Sequence, residues 1–83
     1  MTDNGVRRIR QDHVDALVAT GGVRAVTIEP APGEGWAVRL RLGLSGEAVV
    51  SSHHRPVRVW RQLNTLVAWL RARGIGVAEI RLQ

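Results

Sequence analysis

The clearest candidates for catalytic chemistry are four consecutive polar residues, the segment Ser51–His54. A serine hydroxyl beside an imidazole is the pairing from which a nucleophile and its general base are made. Neighbouring residues of an extended chain point to opposite faces, however, so adjacency alone does not bring Ser52 onto His53 or His54. No Gly-x-Ser-x-Gly turn surrounds the segment, and no acidic residue is placed to orient a histidine. We therefore expect a polar loop here, no catalytic residues and no enzymatic activity.

Metal and cofactor chemistry are not predicted either. His13 is distant from His53 and His54, and this spacing matches no common set of metal ligands. The segment Gly33–Gly35 is too short for a phosphate-binding loop, and no Gly-Lys-Ser/Thr follows it. The chain has no cysteine, which excludes both a disulfide framework and a thiolate metal site.

Positive charge is the other feature of the sequence that points to a function, namely the binding of anions. The 83 residues include twelve basic side chains, all arginine, against seven acidic ones, which gives a net charge of +5. Guanidinium groups fit phosphate oxygens, and a basic surface attracts polyanions. GC-rich coding also produces arginine in place of lysine, so the net charge is the more informative observation.

The arginines relevant to binding fall into three groups. They are an N-terminal arm (Arg7, Arg8 and Arg10), the approach to a long helix (Arg55, Arg58 and Arg61, with His53 and His54), and a strand pair (Arg39 and Arg41). The strand pair is spaced about 6.8 Å apart, close to the phosphate spacing along one DNA strand. Its alternative role is cross-strand pairing with Glu29, Glu47 or Glu79, and the alternative for the helix approach is plain solvation. The candidate nucleic-acid-binding residues are Arg7, Arg8, Arg10, Arg39, Arg41, Arg55, Arg58 and Arg61.

Two helices and four strands are predicted to position these side chains. The first helix begins at Asp12 and ends at Gly21-Gly22, and the second runs from about Val59 to Arg73 before Gly74. Alternation and β-branched residues predict the strands, and Pro56 limits residues 55–59 to an edge strand or a helix approach. The predicted strands are Val23–Glu29, Trp36–Leu42, Glu47–Ser52 and Val77–Leu82. In the last of these, alternation predicts that Ala78, Ile80 and Leu82 point inward.

The three tryptophans have different expected positions. Trp36 and Trp60 lie on the inward phases of a strand and a helix, which predicts that both are in the core. Trp69 is offset from the apolar stripe of the second helix, so it either covers the edge of the core or contacts a partner.

These elements predict a small single-domain α+β protein with the order α-β-β-β-α-β. We expect an antiparallel or mixed sheet with both helices packed on one face. Residues 1–8 are predicted to be a flexible basic arm and residues 9–83 the domain. A domain of this size is marginal alone, which favours a homodimer. The longest apolar run, Leu66–Leu70, is too short to cross a bilayer, and no secretory signal is evident, so we expect a cytoplasmic protein without a membrane partner.

Two stretches of the chain carry a resemblance to a known family. They are Thr20–Arg24 with Ile28, Pro32-Gly33 and Gly35–Val38, and Arg58–Val67 with Leu70 and Gly74-Ile75. Together they resemble the small plasmid-encoded ParC-family partition-associated proteins, which are unrelated to the topoisomerase subunit of the same name. The chain departs from that family at His53-His54 and at Arg81–Gln83. The resemblance implies an accessory, non-catalytic role in plasmid segregation or maintenance, among DNA-bound partners.

The expected function is therefore that of a non-enzymatic, DNA-associated accessory protein in plasmid partition or maintenance. Its arginines would contact DNA phosphates, and other partition proteins are possible partners. The alternative is a protein–protein adaptor that docks an acidic partner without touching DNA. A glutamate-paired sheet face with an exposed Trp69 favours the adaptor, whereas unpaired arginines gathered on one face favour DNA binding.

Overall fold

A five-stranded mixed sheet organises the chain, which a computed structural model describes over residues 6–43 and 46–83. In chain order the elements are β1 (Val6–Arg10), a 3-10 turn (Gln11–His13), α1 (Val14–Ala19), β2 (Val23–Pro30), β3 (Trp36–Leu42), β4 (Glu47–Ser51), α2 (Leu63–Ala72) and β5 (Glu79–Ile80). The strand order across the sheet is β1-β4-β3-β2-β5. The predicted α+β class is confirmed, with one strand added before the predicted order begins.

The three central strands form an antiparallel meander, and each edge strand is added in parallel. β2 pairs with β3, and β3 with β4. β1 lies parallel to β4, with Ile9 opposite Val50, and β5 lies parallel to β2, with Ile80 opposite Ile28. The sheet is therefore mixed, with antiparallel pairing in the centre and parallel pairing at both edges.

The N-terminal segment differs from the expected flexible arm where the structure describes it. Arg7 and Arg8 belong to β1 and pair with Ala48 and Val49 of β4. Among residues 7–10, whose side chains the structure describes, Ile9 packs against the core and the other three are arginines, so this part of the strand gives little hydrophobic signal in the sequence. Charged side chains are well suited to a sheet edge, where they discourage pairing with other chains. Residues 1–5 of the expected arm lie outside the described residues.

Alternation along the strands places the core on one face of the sheet, under both helices. We call this the helix face and the opposite one the open face. Trp60 is in the core as predicted, while Trp36 and Trp69 are half-buried against it. The buried cluster consists of Val14, Val26, Ile28, Val38, Leu40, Val50, Trp60, Leu66 and Leu70.

The ends of α2 are set by different local interactions. The helix begins at Leu63, later than predicted, because Trp60 forms a β-bridge with Trp36 and Gln62 remains extended. Its C-terminus follows the prediction: Gly74 has a φ of +88°, and the Ile75 N–H donates to the Leu70 carbonyl at 3.1 Å. Within the described ranges, neither helix has the length and apolar character needed to cross a membrane.

The C-terminal strand is shorter than predicted. β5 contains two residues rather than the expected six, and the predicted inward residues Ile80 and Leu82 are 45% and 78% exposed. The prediction was wrong for Leu82. Alternation predicts burial only where a neighbouring strand and a covering helix are present, and β5 ends at Ile80. Ala78, by contrast, packs against the core as expected.

Candidate nucleic-acid interface

Three of the predicted phosphate-binding arginines line one cleft of about 420 Å³ at the end of β4. The cleft is formed by the loop between β2 and β3 on one side and by the approach to α2 on the other. Its lining residues are Pro32, Glu34, Ser52, Arg55, Arg58, Val59 and Arg61. Within residues 6–43 and 46–83, none of its arginines forms an ion pair.

The two walls of the cleft are held together by backbone contacts. Trp36 and Trp60 exchange N–H···O bonds of 2.8 and 2.9 Å, which fixes residues 59–61 beside the start of β3. Gly35 makes this approach possible: its φ is +95°, and a Cβ there would lie 2.7 Å from the Trp60 carbonyl oxygen. On the other side, the Arg58 N–H donates to the Val50 carbonyl at 2.8 Å, which ties the approach segment to β4.

Arg58 has the least solvated position of the cleft arginines. Its guanidinium carbon lies 4.3 Å from the ring centroid of Trp60 and 5.8 Å from that of Trp69, and it donates to the Gln11 side-chain oxygen. Burial, with a smaller contribution from the charge of Arg73, lowers the pKa of Arg58. A partly buried cation with aromatic rather than acidic neighbours retains its attraction for an anion.

The cleft continues onto the end of β1. The Arg10 Nη2 lies 3.1 Å from the Nδ1 of His53 and 3.2 Å from a carboxylate oxygen of Asp12. Gln11, the next residue, contacts Arg58. These contacts bring the end of β1 beside the approach to α2. We call the surface along β1 and this approach the basic edge, with the arginines Arg7, Arg8, Arg10, Arg55, Arg58 and Arg61. Arg7 and Arg8 lie further along β1 and point to opposite faces of the sheet.

The strand pair has a different environment, because Arg39 is surrounded by carboxylates. Its guanidinium lies 3.0 Å from Glu29 and 3.2 Å from Glu47, and the hydrogen bond to Glu29 raises its pKa. Glu29 also lies 3.7 Å from Arg81. Arg39 therefore has the alternative role stated for the strand pair, which is pairing with glutamates of the neighbouring strands rather than phosphate binding. Arg41 is exposed, faces Glu47 in the strand register, and forms no ion pair in the described part of the chain.

Ser51 ends β4, and residues 52–54 form the irregular segment that follows it, where a polar loop was expected. Ser51 is buried, and the Ser52 hydroxyl oxygen accepts the Arg55 N–H at 3.2 Å. The exposed rings of His53 and His54 pack edge to face with centroids 5.1 Å apart, and neither residue lines the cleft. The partners found for the Ser52 hydroxyl and the His53 ring are the Arg55 N–H and the Arg10 guanidinium, and not each other.

Sequence reasoning did not identify the second wall of the cleft. Pro32 and Glu34 line it only because the Trp36–Trp60 bridge joins segments distant in sequence. Arg73 was also missed: it lies 5.2 Å from the Trp69 ring centroid and pairs with Asp15 at 2.8 Å. No spacing rule connects these residues. Comparisons with family models, curated proteins and solved structures gave no match to this chain.

Proposed function

We propose that this protein binds DNA without catalysing a reaction, as an accessory factor in plasmid partition or maintenance. The observation that carries the proposal is the grouping of Arg55, Arg58 and Arg61 around one cleft that continues onto β1. Such a surface offers several cations to a polyanionic backbone at once. The plasmid context rests on the resemblance to ParC-family proteins.

The charges of the sheet favour the basic edge over the open face as the contact surface. Arg39 is held by two carboxylates, so a phosphate would have to displace them. None of the cleft arginines forms an ion pair among the described residues, although the carboxylate of Glu34 also lines the cleft. We therefore assign phosphate contact to the basic edge, with Arg41 as a peripheral contributor and Arg39 as a structural residue.

The test is fluorescence anisotropy of a labelled duplex titrated with the protein at several salt concentrations. We expect affinity to fall steeply with salt, because each phosphate contact releases a counterion and contributes about 0.9 to the log–log slope. The variant Arg55→Ala/Arg61→Ala should reduce that slope by about 2 and weaken binding to all sequences alike.

A matched control separates local contacts from net charge. Arg24→Ala/Arg71→Ala also removes two exposed arginines, both outside the basic edge. We expect this control to bind nearly as tightly as the parent protein. An equal loss of affinity in both variants would show that charge acts without a defined surface, and would overturn the assignment of the basic edge.

A protein–protein adaptor is the second candidate, and the neutralised open face favours it. Glutamates and arginines alternate there, which provides pairing groups for another protein but little net attraction for DNA. Trp69 offers only part of its surface to such a partner, because it is half-buried between Trp60 and Arg73. Absence of duplex binding even at low salt would exclude direct DNA contact and leave the adaptor.

A further inference from the structure

The free edge of β5 has features that the proposed function does not explain. In the part of the chain that the structure describes, β5 is the last strand of the sheet and pairs with β2 over only two register positions. The three large apolar residues exposed in the described chain are all in this region: Val77 is 86%, Ile80 45% and Leu82 78% exposed. An exposed strand edge with apolar side chains is a template for pairing with another chain.

The hydrogen bonding of β5 shows which backbone groups are available. The Arg81 N–H donates to the Ile28 carbonyl at 2.7 Å, so the backbone of Arg81 faces β2. Successive residues of a strand direct their N–H and C=O groups to opposite sides. The N–H and C=O of Ile80 therefore point away from the sheet, toward the free edge.

We propose that a second copy of this chain pairs with this edge, β5 against β5, antiparallel about a two-fold axis at Ile80. The two Ile80 residues would form the hydrogen-bonded pair and exchange both of their N–H···O bonds. The register then places Glu79 opposite Arg81 of the second copy, and Arg81 opposite its Glu79. Each copy contributes the same patch, as a two-fold interface requires.

The charges of the strand are complementary in this register. Glu79 pairs with Thr27 in the sheet and Arg81 lies 3.7 Å from Glu29, so both side chains lie on the open face. Opposite charges at facing positions of antiparallel strands stabilise the pairing. The short motif Glu79-Ile80-Arg81 is therefore complementary to its own reversed copy.

The helix face of the same edge carries the apolar part of the proposed contact. Ile80 is in register with Ile28, and a groove of about 180 Å³ runs beside it between α2 and β5. Val67, Ile75 and Val77 are among its lining residues. A second β5 at the free edge would cover the exposed side of Ile80 and remove apolar surface from water.

The opposite edge of the sheet does not offer the same complementarity. β1 carries Arg7, Arg8 and Arg10, so its self-pairing would bring like charges together. Pairing through β5 alone gives a closed dimer, whereas pairing through both edges would give an open array. The proposed dimer contact includes none of the residues of the basic edge, so dimerisation does not depend on DNA binding.

Charge exchange on β5 tests the interface and its register together. Sedimentation equilibrium of the full chain should show a monomer–dimer equilibrium. Glu79→Arg and Arg81→Glu should each weaken dimerisation by at least about tenfold, since each variant opposes two pairs of like charges. An equimolar mixture of the two single variants should dimerise again, because arginines of one chain then face glutamates of the other. The control Glu34→Arg makes the same charge change away from β5 and should leave the equilibrium unaltered.

A charge-neutral variant provides a second measurement. Ile80→Pro removes the outward N–H and leaves the N–H of Arg81 for β2, so the monomer should keep its fold by circular dichroism while the dimer is lost. A parent protein that is monomeric at millimolar concentration would overturn the proposal. So would single variants that dimerise like the parent, or a mixture that remains monomeric.

Discussion

Gly35 occupies a position that disfavours every other residue type for two separate reasons. Its positive φ of +95° disfavours a side chain, and a Cβ would meet the Trp60 carbonyl oxygen at 2.7 Å and a Val59 methyl at 2.8 Å. Gly33 has a similar φ of +87° but open space around it. Comparing Gly35 with Gly33 therefore separates the cost of the backbone conformation from the cost of the steric contact.

Replacing Gly35 by alanine should lower the free energy of unfolding by about 2–3 kcal/mol, because strain and a backbone clash combine. Gly33→Ala should cost only about 1–2 kcal/mol, the conformational part. Urea denaturation followed by tryptophan fluorescence measures both. Equal losses would mean that the Trp36–Trp60 bridge does not depend on the close approach at Gly35.

Arg39 and Arg41 have similar sequence contexts but different expected roles. Arg39→Ala should lower the free energy of unfolding by about 1–2 kcal/mol, since it leaves the mostly buried carboxylate of Glu29 with only Arg81 at 3.7 Å. The exposed Arg41→Ala should change it by less than about 0.5 kcal/mol. Thermal and urea unfolding test this, and a neutral Arg39→Ala would contradict the structural role given to that residue.

The sequence was more informative about Arg39 than about Arg58. Alternation along β3 places Arg39 on a face with glutamates of neighbouring strands, so pairing could be anticipated. The stacking of Arg58 on Trp60 could not, because it depends on Trp60 lying in an extended bridge rather than in the predicted helix. Tertiary pairing overrode the helical periodicity at that point.

Among the elements, those with a long periodic pattern were predicted well and the two edge strands were not. β2, β3 and the core of α2 each present several apolar residues at the spacing of their element. β1 has one inward residue with confirmed core packing, Ile9, and β5 has only two paired residues. Short edge strands depend on neighbours distant in sequence, so local patterning defines them weakly.

The status of β1 can be tested at Ile9. Ile9→Ala should lower the free energy of unfolding by about 1–2 kcal/mol, because its half-buried side chain packs against the core. Arg8→Ala, an exposed neighbour in the same strand, should have an effect below about 0.5 kcal/mol. A mobile arm would tolerate both changes equally, and that result in urea denaturation would contradict the assignment of β1.

At the scale of the whole molecule, the two proposed surfaces lie at opposite edges of one sheet. The basic edge includes β1, and the proposed dimer contact is β5, with three strands between them. Dimerisation through β5 would therefore leave both basic edges accessible and directed away from each other. A protein with this arrangement can hold two DNA segments at once.

This arrangement predicts bridging by the dimer. The parent protein should bring two differently labelled duplexes together in a pull-down or energy-transfer assay. Ile80→Pro should abolish bridging and leave the affinity for one short duplex within about twofold, because it changes no charge. Bridging that persists in a variant shown to be monomeric would mean that one chain holds both duplexes.

Because β1 and β5 each pair in parallel with a strand distant in the sequence, the two edge strands form late in folding. The central meander closes through short turns, whereas β1 and β5 each join a strand roughly forty to fifty residues away in the chain. Long closures carry a larger entropic cost and slow folding. The first residues of β1 leave the ribosome early, but their partner β4 follows much later. A half-made or half-folded chain would therefore lack both edges on which the proposed DNA contact and the proposed dimer depend, and would compete with finished molecules for neither.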